Sequence, residues 1–346
     1  MTTGANTVLA DPAPDQVRHR RIRIDAGVEL KKTLPPRIAA EIFWPNDKPL
    51  SAPPLAFVCL PGGGMNRRYF DVGGSVQPGF SFARQMAASG LITVAIDHLG
   101  VGDSTKAADG FDLTPDVLAA ANANATSAIV DGLRLGTLIP GLRPLPDLAT
   151  IGVGHSMGAM LTVMQQAIAP QHKALVLLGF SNTGLVKYLP EPAHALIGAP
   201  ELVAENIGRI ARQIHERPYQ QLQPSAEGRA MFYGSAADPD GITALKAARD
   251  VLLAVPGLQT MIPGSIAPQS AKIDVPVFLG LGDQDIAGPT HAIPTMFPIS
   301  RDISLFVLPE TGHCQFIFPS RMALFERIRL WAEMVLSDEH GQPQFR

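Results

Sequence analysis

Apolar runs and amphipathic stretches alternate along most of this chain. Residues 18–26 (RHRRIRIDA) and 37–45 (RIAAEIFWP) read as an early antiparallel pair. Residues 54–64 (PLAFVCLPGGG) form an apolar strand that ends in three glycines. Further fully apolar strands are predicted in 91–104 (LITVAIDHLGVGDS), 148–154 (LATIGVG), 173–182 (KALVLLGFSN), 275–285 (VPVFLGLGDQD) and 303–314 (ISLFVLPETGHC). Between them, residues 80–90, 116–138, 157–169 and 320–338 carry helical spacing, the first with a glycine stop. Apolar strands alternating with amphipathic helices predict a mainly parallel sheet covered on both faces.

One interval breaks the alternation. Residues 183–272 separate two strands and show no obvious strand of their own. Within them, residues 201–218 are apolar at Val203, Ile207, Ile210 and Ile214, and residues 240–256 at Ile242, Leu245 and Leu252. Each stretch is expected to be a helix ending at a proline. An interval this long is not a structureless loop, so it reads as an inserted helical cap. The expected organisation is a flexible tail over 1–17, a core of 18–182 plus 273–346, and the cap over 183–272.

Bulk properties narrow the function classes. Hydrophobic residues are 46% of the 346 and charged residues 17%, enough apolar surface for a large core. The formal net charge of −3 gives no pull toward nucleic acid or an acidic membrane surface. No apolar run is long enough to span a bilayer, and the first residues lack the pattern of a secretory signal. Two cysteines do not build a disulfide framework. The expected compartment is the cytoplasm. Cys59 reads as a small core residue, and Cys314 as a residue near the site but a poor candidate for a thiol nucleophile.

The candidate chemistry begins at Gly154-His155-Ser156-Met157-Gly158, where a strand turns into a helix. A serine hydroxyl is a poor nucleophile unless a base takes its proton, a third group orients the base, and donors receive the oxyanion. A tight strand-to-helix turn would lift Ser156 above the sheet edge and place it at a helix N-terminus, which favours developing negative charge. Glycines on either side would let neighbouring backbone approach closely. Later strands end at Asp283 and Asp285 and at His313, and an earlier strand ends in Gly62, Gly63 and Gly64. No H-E-x-x-H pattern is present, the histidines lack ligand spacing, and the glycines do not form a nucleotide loop with its lysine. No metal and no cofactor is therefore expected.

The set GHSMG, DHLGVGDS, GLGDQD and TGHC, in that order from about Leu55 to His313, resembles the α/β-hydrolase fold superfamily. The resemblance implies an α/β-hydrolase fold, a mostly parallel sheet flanked by helices, with the helical cap inserted before the acid-bearing strand. It implies Ser156 as nucleophile, His313 as base and Asp285 as the acid, with Asp283 in reserve. It assigns oxyanion donors to the N–H groups of Met157 and Gly63, with Gly64 next, although Pro61 stands where many relatives have histidine. The expected activity is that of a serine esterase of carboxylesterase or lactonase type, acting on a hydrophobic small-molecule ester or lactone. The same triad could serve an amide, thioester or carbon–carbon bond, and some relatives are ligand-binding receptors. DHLGVGDS is expected to be structural, with His98 a loop hydrogen bonder. His155 is not expected to be catalytic, and Arg67 and Arg68 read as solvated or ion-paired surface. No nucleic-acid partner is expected, and no oligomeric state is specified.

Overall fold

A computed structural model describes residues 11–222, 226–234 and 236–338. The first ten residues of the expected N-terminal tail lie outside these; Pro14–Gln16 form a short 3-10 turn and Val17 already opens the first strand. Eight strands form one sheet: β1 (Val17–Asp25), β2 (Arg37–Pro45), β3 (Leu55–Leu60), β4 (Ile92–Ile96), β5 (Ala149–His155), β6 (Ala174–Leu178), and, after a long interval, β9 (Val277–Gly282) and β10 (Ile303–Leu308). Their order is β1-β2-β4-β3-β5-β6-β9-β10. β2 runs antiparallel to both β1 and β4, and every other neighbouring pair is parallel. The parallel strands end level with one another: Leu60 pairs Gly154, His155 pairs Leu178, Leu178 pairs Gly280, and Gly282 pairs Leu308. Their C-terminal ends therefore share one edge, where open sheets of this kind carry ligands.

Because β3, β4, β5, β6 and β9 are apolar on both faces, each face must be covered. Helices α1 (Phe82–Ala88) and α9 (Arg321–Asp338) cover one face, where Phe57, Phe82, Phe278, Phe316 and Phe325 are buried together. Helices α2 (Pro115–Arg134) and α3 (Met157–Ile168) pack against each other on the opposite face. Thr114 caps α2 by accepting from the Val117 N–H, and Pro115 fills the first turn where no amide bond is needed.

Residues 183–272 hold α4 (Pro200–Ile214), α5 (Ala226–Tyr233), α6 (Pro239–Leu245), α7 (Ala254–Met261) and α8 (Ala267–Ser270). Val203, Ile207 and Ile210 of α4 are buried with Val255, Leu258 and Ile262 in a satellite core, so the helical spacing is realised, but the helix stops at Ile214, where His215 turns extended, and not at Pro218. The second expected helix is not continuous. After α6 the chain passes through a 3-10 turn, turns extended at Arg249 (φ −66°, ψ 138°), and runs into a two-residue strand β8 (Leu252–Leu253). β8 pairs with β7 (Tyr219–Gln220), strands the hydrophobic pattern did not reveal. The break has a cause: the Asp250 N–H donates to the Gly64 carbonyl at 2.8 Å and the Ala248 carbonyl accepts from the Asn66 N–H at 2.8 Å. Pro256 does not end a helix but sits in the first turn of α7, where its missing N–H costs nothing.

Candidate active site

The elbow between β5 and α3 forces Ser156 to φ 53° and ψ −121°, a backbone region that residues with a side chain rarely occupy. The turn persists because it is held on both sides: the Ser156 N–H donates to the Leu178 carbonyl at 2.8 Å, and its carbonyl accepts from the Ala159 N–H at 2.9 Å. The flanking glycines serve close approach, not an unusual φ. A Cβ on Gly154 would lie inside the backbone of Ala159, and one on Gly158 inside the Leu60 carbonyl and 2.5 Å from the Pro61 oxygen. None of these backbone atoms can move without shifting β3, the glycine loop or α3. Gly158→Ala is expected to lower stability by several kcal/mol, within the range of severe core clashes. A thermal midpoint within a degree or two of the parent would contradict the packing.

Two loops at the same edge complete the arrangement. His313 Nε2 lies 2.9 Å from Ser156 Oγ, and its Nδ1 lies 2.8 Å from Asp285 Oδ1. Asp285 has its side chain closed off from solvent, and its Oδ1 also accepts from the Ala287 N–H at 2.9 Å. Its Oδ2 accepts from Gln315 Nε2 at 3.0 Å. Burial alone would raise this carboxyl, but the charge and hydrogen bond of His313, with the Ala287 N–H, hold it below the ordinary aspartate range. An ionised carboxylate on Nδ1 requires a proton there, which leaves Nε2 as the acceptor facing the serine hydroxyl. Asp283 points elsewhere: its two oxygens accept from the N–H groups of Glu310 and Thr311 at 3.0 and 3.1 Å. It tightens the turn leading to His313.

Gly62, Gly63 and Gly64 lie beside the elbow. A Cβ on Gly62 would come 3.2 Å from Ser156 Cβ, and one on Gly63 3.6 Å from Met157 Sδ. Among the described residues neither the Met157 nor the Gly63 N–H donates to a protein acceptor. Gly64 has φ 75° and closes against the insert.

Gly179 and Gln315 are neighbours of the site that the pattern did not single out. Gly179, at φ 58°, sits so near Asp285, His313 and Gln315 that a Cβ would fall about 3 Å from all three. His155 Nε2 faces the His313 carbonyl at 2.9 Å, and Tyr69 stacks on the His155 ring at 4.4 Å between centroids. Gln315 carries no sequence signal beyond lying two residues past His313. Arg67 is not on the surface: it is 3% exposed and bonded to Glu41, Asp97 and Asp103. Arg68 is exposed. Cys314 is fully buried, and burial pushes its thiol up to about 12, so it is no nucleophile at neutral pH.

Burial keeps three histidines neutral. His155 is lowered from 6.5 to about 3, His172 from 6.5 to about 4, and His98 downward from the same starting point. In the unfolded chain each binds a proton near 6.5, whereas the folded state resists it. Between those values the unfolded state holds more protons, so this stability is present above 6.5 and is lost as the pH falls. His155 and His172 each contribute a slope of at most about 1.4 kcal/mol per pH unit, and His98 acts in the same direction. Burial raises Asp71, Asp97 and Asp116 and opposes this trend at the acid end. The thermal midpoint should therefore fall between about pH 7.5 and pH 5.5; melts showing a rise over that interval would contradict it.

A cavity of about 20 Å³ opens onto Ser156 and His313 and is bordered by Phe180, Leu185, Thr260 and Ile286. This is room for about one water molecule. A cavity of about 270 Å³ between α2, α4 and the chain near Gln259 does not reach the serine. Among the described residues no helix is long and apolar enough to cross a membrane.

A mostly parallel sheet, with a serine on a strand-to-helix elbow and a later acid and histidine at the same edge, defines the α/β-hydrolase class of protein. Residues 57–327 match the alpha/beta hydrolase family, and the chain belongs to it. Among curated proteins none matches the sequence. Among solved structures, peroxisomal alpha-beta-hydrolase Lpx1 of Saccharomyces cerevisiae is similar, with a TM-score of 0.61 and 14% identity over 96% of this chain and 94% of that one. A proline iminopeptidase-related protein of Thermus thermophilus gives 0.58 and 18% identity over 92% and 98%. Est1E of Butyrivibrio proteoclasticus, solved with ferulic acid bound, gives 0.52 and 16% identity over 91% and 99%. At these identities the likeness is one of fold.

Proposed function

We propose that the protein is a serine hydrolase that cleaves an ester or lactone of a hydrophobic small molecule through an acyl-serine intermediate. The observation that carries this reading is the continuous chain from Ser156 Oγ to His313 Nε2 and from His313 Nδ1 to Asp285 Oδ1, at 2.9 and 2.8 Å. Ser156 Oγ attacks the substrate carbonyl as His313 Nε2 takes its proton. Asp285 holds the ring's orientation and stabilises the imidazolium. The Met157 and Gly63 N–H groups, which have no protein acceptor among the described residues, receive the oxyanion. The carbonyl–oxygen bond breaks, His313 returns the proton to the leaving alkoxide, and the acyl group stays on Ser156. Water, deprotonated by His313, then attacks the acyl-serine and releases the acid.

In this reading residues 183–272 act as a cap: Leu252 lies over Gly63, and Leu185 and Thr260 wall the small cavity at the serine. Among the described residues, no ionisable side chain apart from His313 borders that cavity, which favours an uncharged group beside the reacting carbon. The test is a hydrolysis screen of esters graded in acyl length, with lactones and amides, on the parent and on Ser156→Ala, alongside labelling by a fluorophosphonate. Turnover of esters or lactones above amides supports the reading. A folded parent that takes no label overturns it.

A further inference from the structure

His98 lies outside the chain of groups that moves protons, on the loop after β4, and it is fully buried. Its Nε2 is 3.0 Å from the Pro61 carbonyl oxygen, and its Nδ1 is 3.1 Å from Asn122 Nδ2 on α2. A carbonyl only accepts, so Nε2 carries the proton. Nδ1 then presents a lone pair, which the Asn122 amide N–H fills. These two contacts give the ring one orientation and one tautomer.

Pro61 opens the glycine loop. Its carbonyl turns down toward His98 and toward Gly158 at the start of α3. The Gly62 carbonyl accepts from the Met65 N–H at 3.2 Å and the Gly64 carbonyl from the Asp250 N–H at 2.8 Å. In a trans peptide the N–H points opposite to the carbonyl before it. The Pro61 carbonyl, held by His98, therefore fixes the Gly62 N–H on the side away from His98, and the Gly62 carbonyl, held in the next turn by the Met65 N–H, fixes the Gly63 N–H that follows it. Three glycines in succession have wide conformational freedom, so such a loop holds one set of amide directions only when its carbonyls are held.

We infer that His98, locked by Asn122, is a positioning residue that sets the glycine loop in the orientation that receives the oxyanion. This rests on the proposed role of Ser156. The residue touches no reacting atom, so its effect should fall on the transition state and spare the binding of substrate.

The test compares parent, Ser156→Ala, His98→Ala, His98→Gln and Asn122→Ala on a p-nitrophenyl ester, with inhibition by a trifluoromethyl ketone, whose serine adduct carries an oxyanion. In folded His98→Ala, kcat should fall about tenfold to a hundredfold, less than the loss of an oxyanion donor itself, with KM changed less than about threefold. Affinity for the ketone should fall by a similar factor. Glutamine, which can donate an amide N–H to the same carbonyl, should restore most of the rate. Should His98→Ala not fold, Asn122→Ala, which frees the ring, should show the same split in milder form. An unchanged kcat, a loss confined to KM, or no recovery by glutamine overturns the inference. A parent that takes no fluorophosphonate label overturns the Ser156 reading, and this inference with it; a labelled parent with a fully active His98→Ala overturns this inference alone.

Discussion

Ser156→Ala should lower kcat by about five to six orders of magnitude, the loss that follows removal of the nucleophile from such a triad. The variant should remain folded. Alanine keeps the Cβ, so the strain at φ 53° is no greater than in the parent, and the two hydrogen bonds that hold the elbow are made by backbone atoms. Only the contact with His313 Nε2 is lost. The check is paired: turnover of the best ester substrate, and the thermal midpoint of the same preparation. Activity within tenfold of the parent would place the nucleophile elsewhere.

The second large effect separates two neighbouring carboxylates. Asp285→Ala should cost about four orders of magnitude in kcat, because the imidazole loses both the group that fixes its tautomer and the charge that stabilises its protonated form. Asp283→Ala should leave kcat within about tenfold while lowering stability by about 1–2 kcal/mol, since it caps two backbone amides of the adjoining turn and touches no ring. Measuring both variants against both readouts gives crossed results. Equal losses in kcat would mean that the turn, and not one carboxylate, orients His313.

The sheet was legible because its strands are short, apolar and bounded by glycine and proline, so burial on two faces is written locally into each run. The elbow was legible for a similar reason, since strand, glycine, serine, glycine and helix fall within about a dozen residues. What was not legible depends on contacts between distant segments. Residues 240–256 carry helical spacing, yet the helix breaks where Asp250 bonds to Gly64, nearly two hundred positions earlier in the chain. Arg67 reads as a surface cation because nothing near it in sequence announces Glu41, Asp97 and Asp103, which surround it from β2 and from the loop after β4. Gln315 and Gly179 meet Asp285 only after three strands have been laid side by side. A carboxamide or a glycine alone in a loop has no pattern to betray such a meeting.

The pairing of the insert with the glycine loop bears on how this enzyme could be diversified. Asp250 bonds to Gly64 through its backbone and to Asn66 and Gly102 through its carboxylate, and Leu252 rests on Gly63. Under the proposed function, residues 248–253 would be both a roof over an incoming substrate and a brace on the oxyanion donors. Libraries built there would change selectivity and turnover together, and gains in one would tend to come with losses in the other. Positions on the outward side of α4, whose buried face stays within the satellite core, offer the insert's more independent ground for variation.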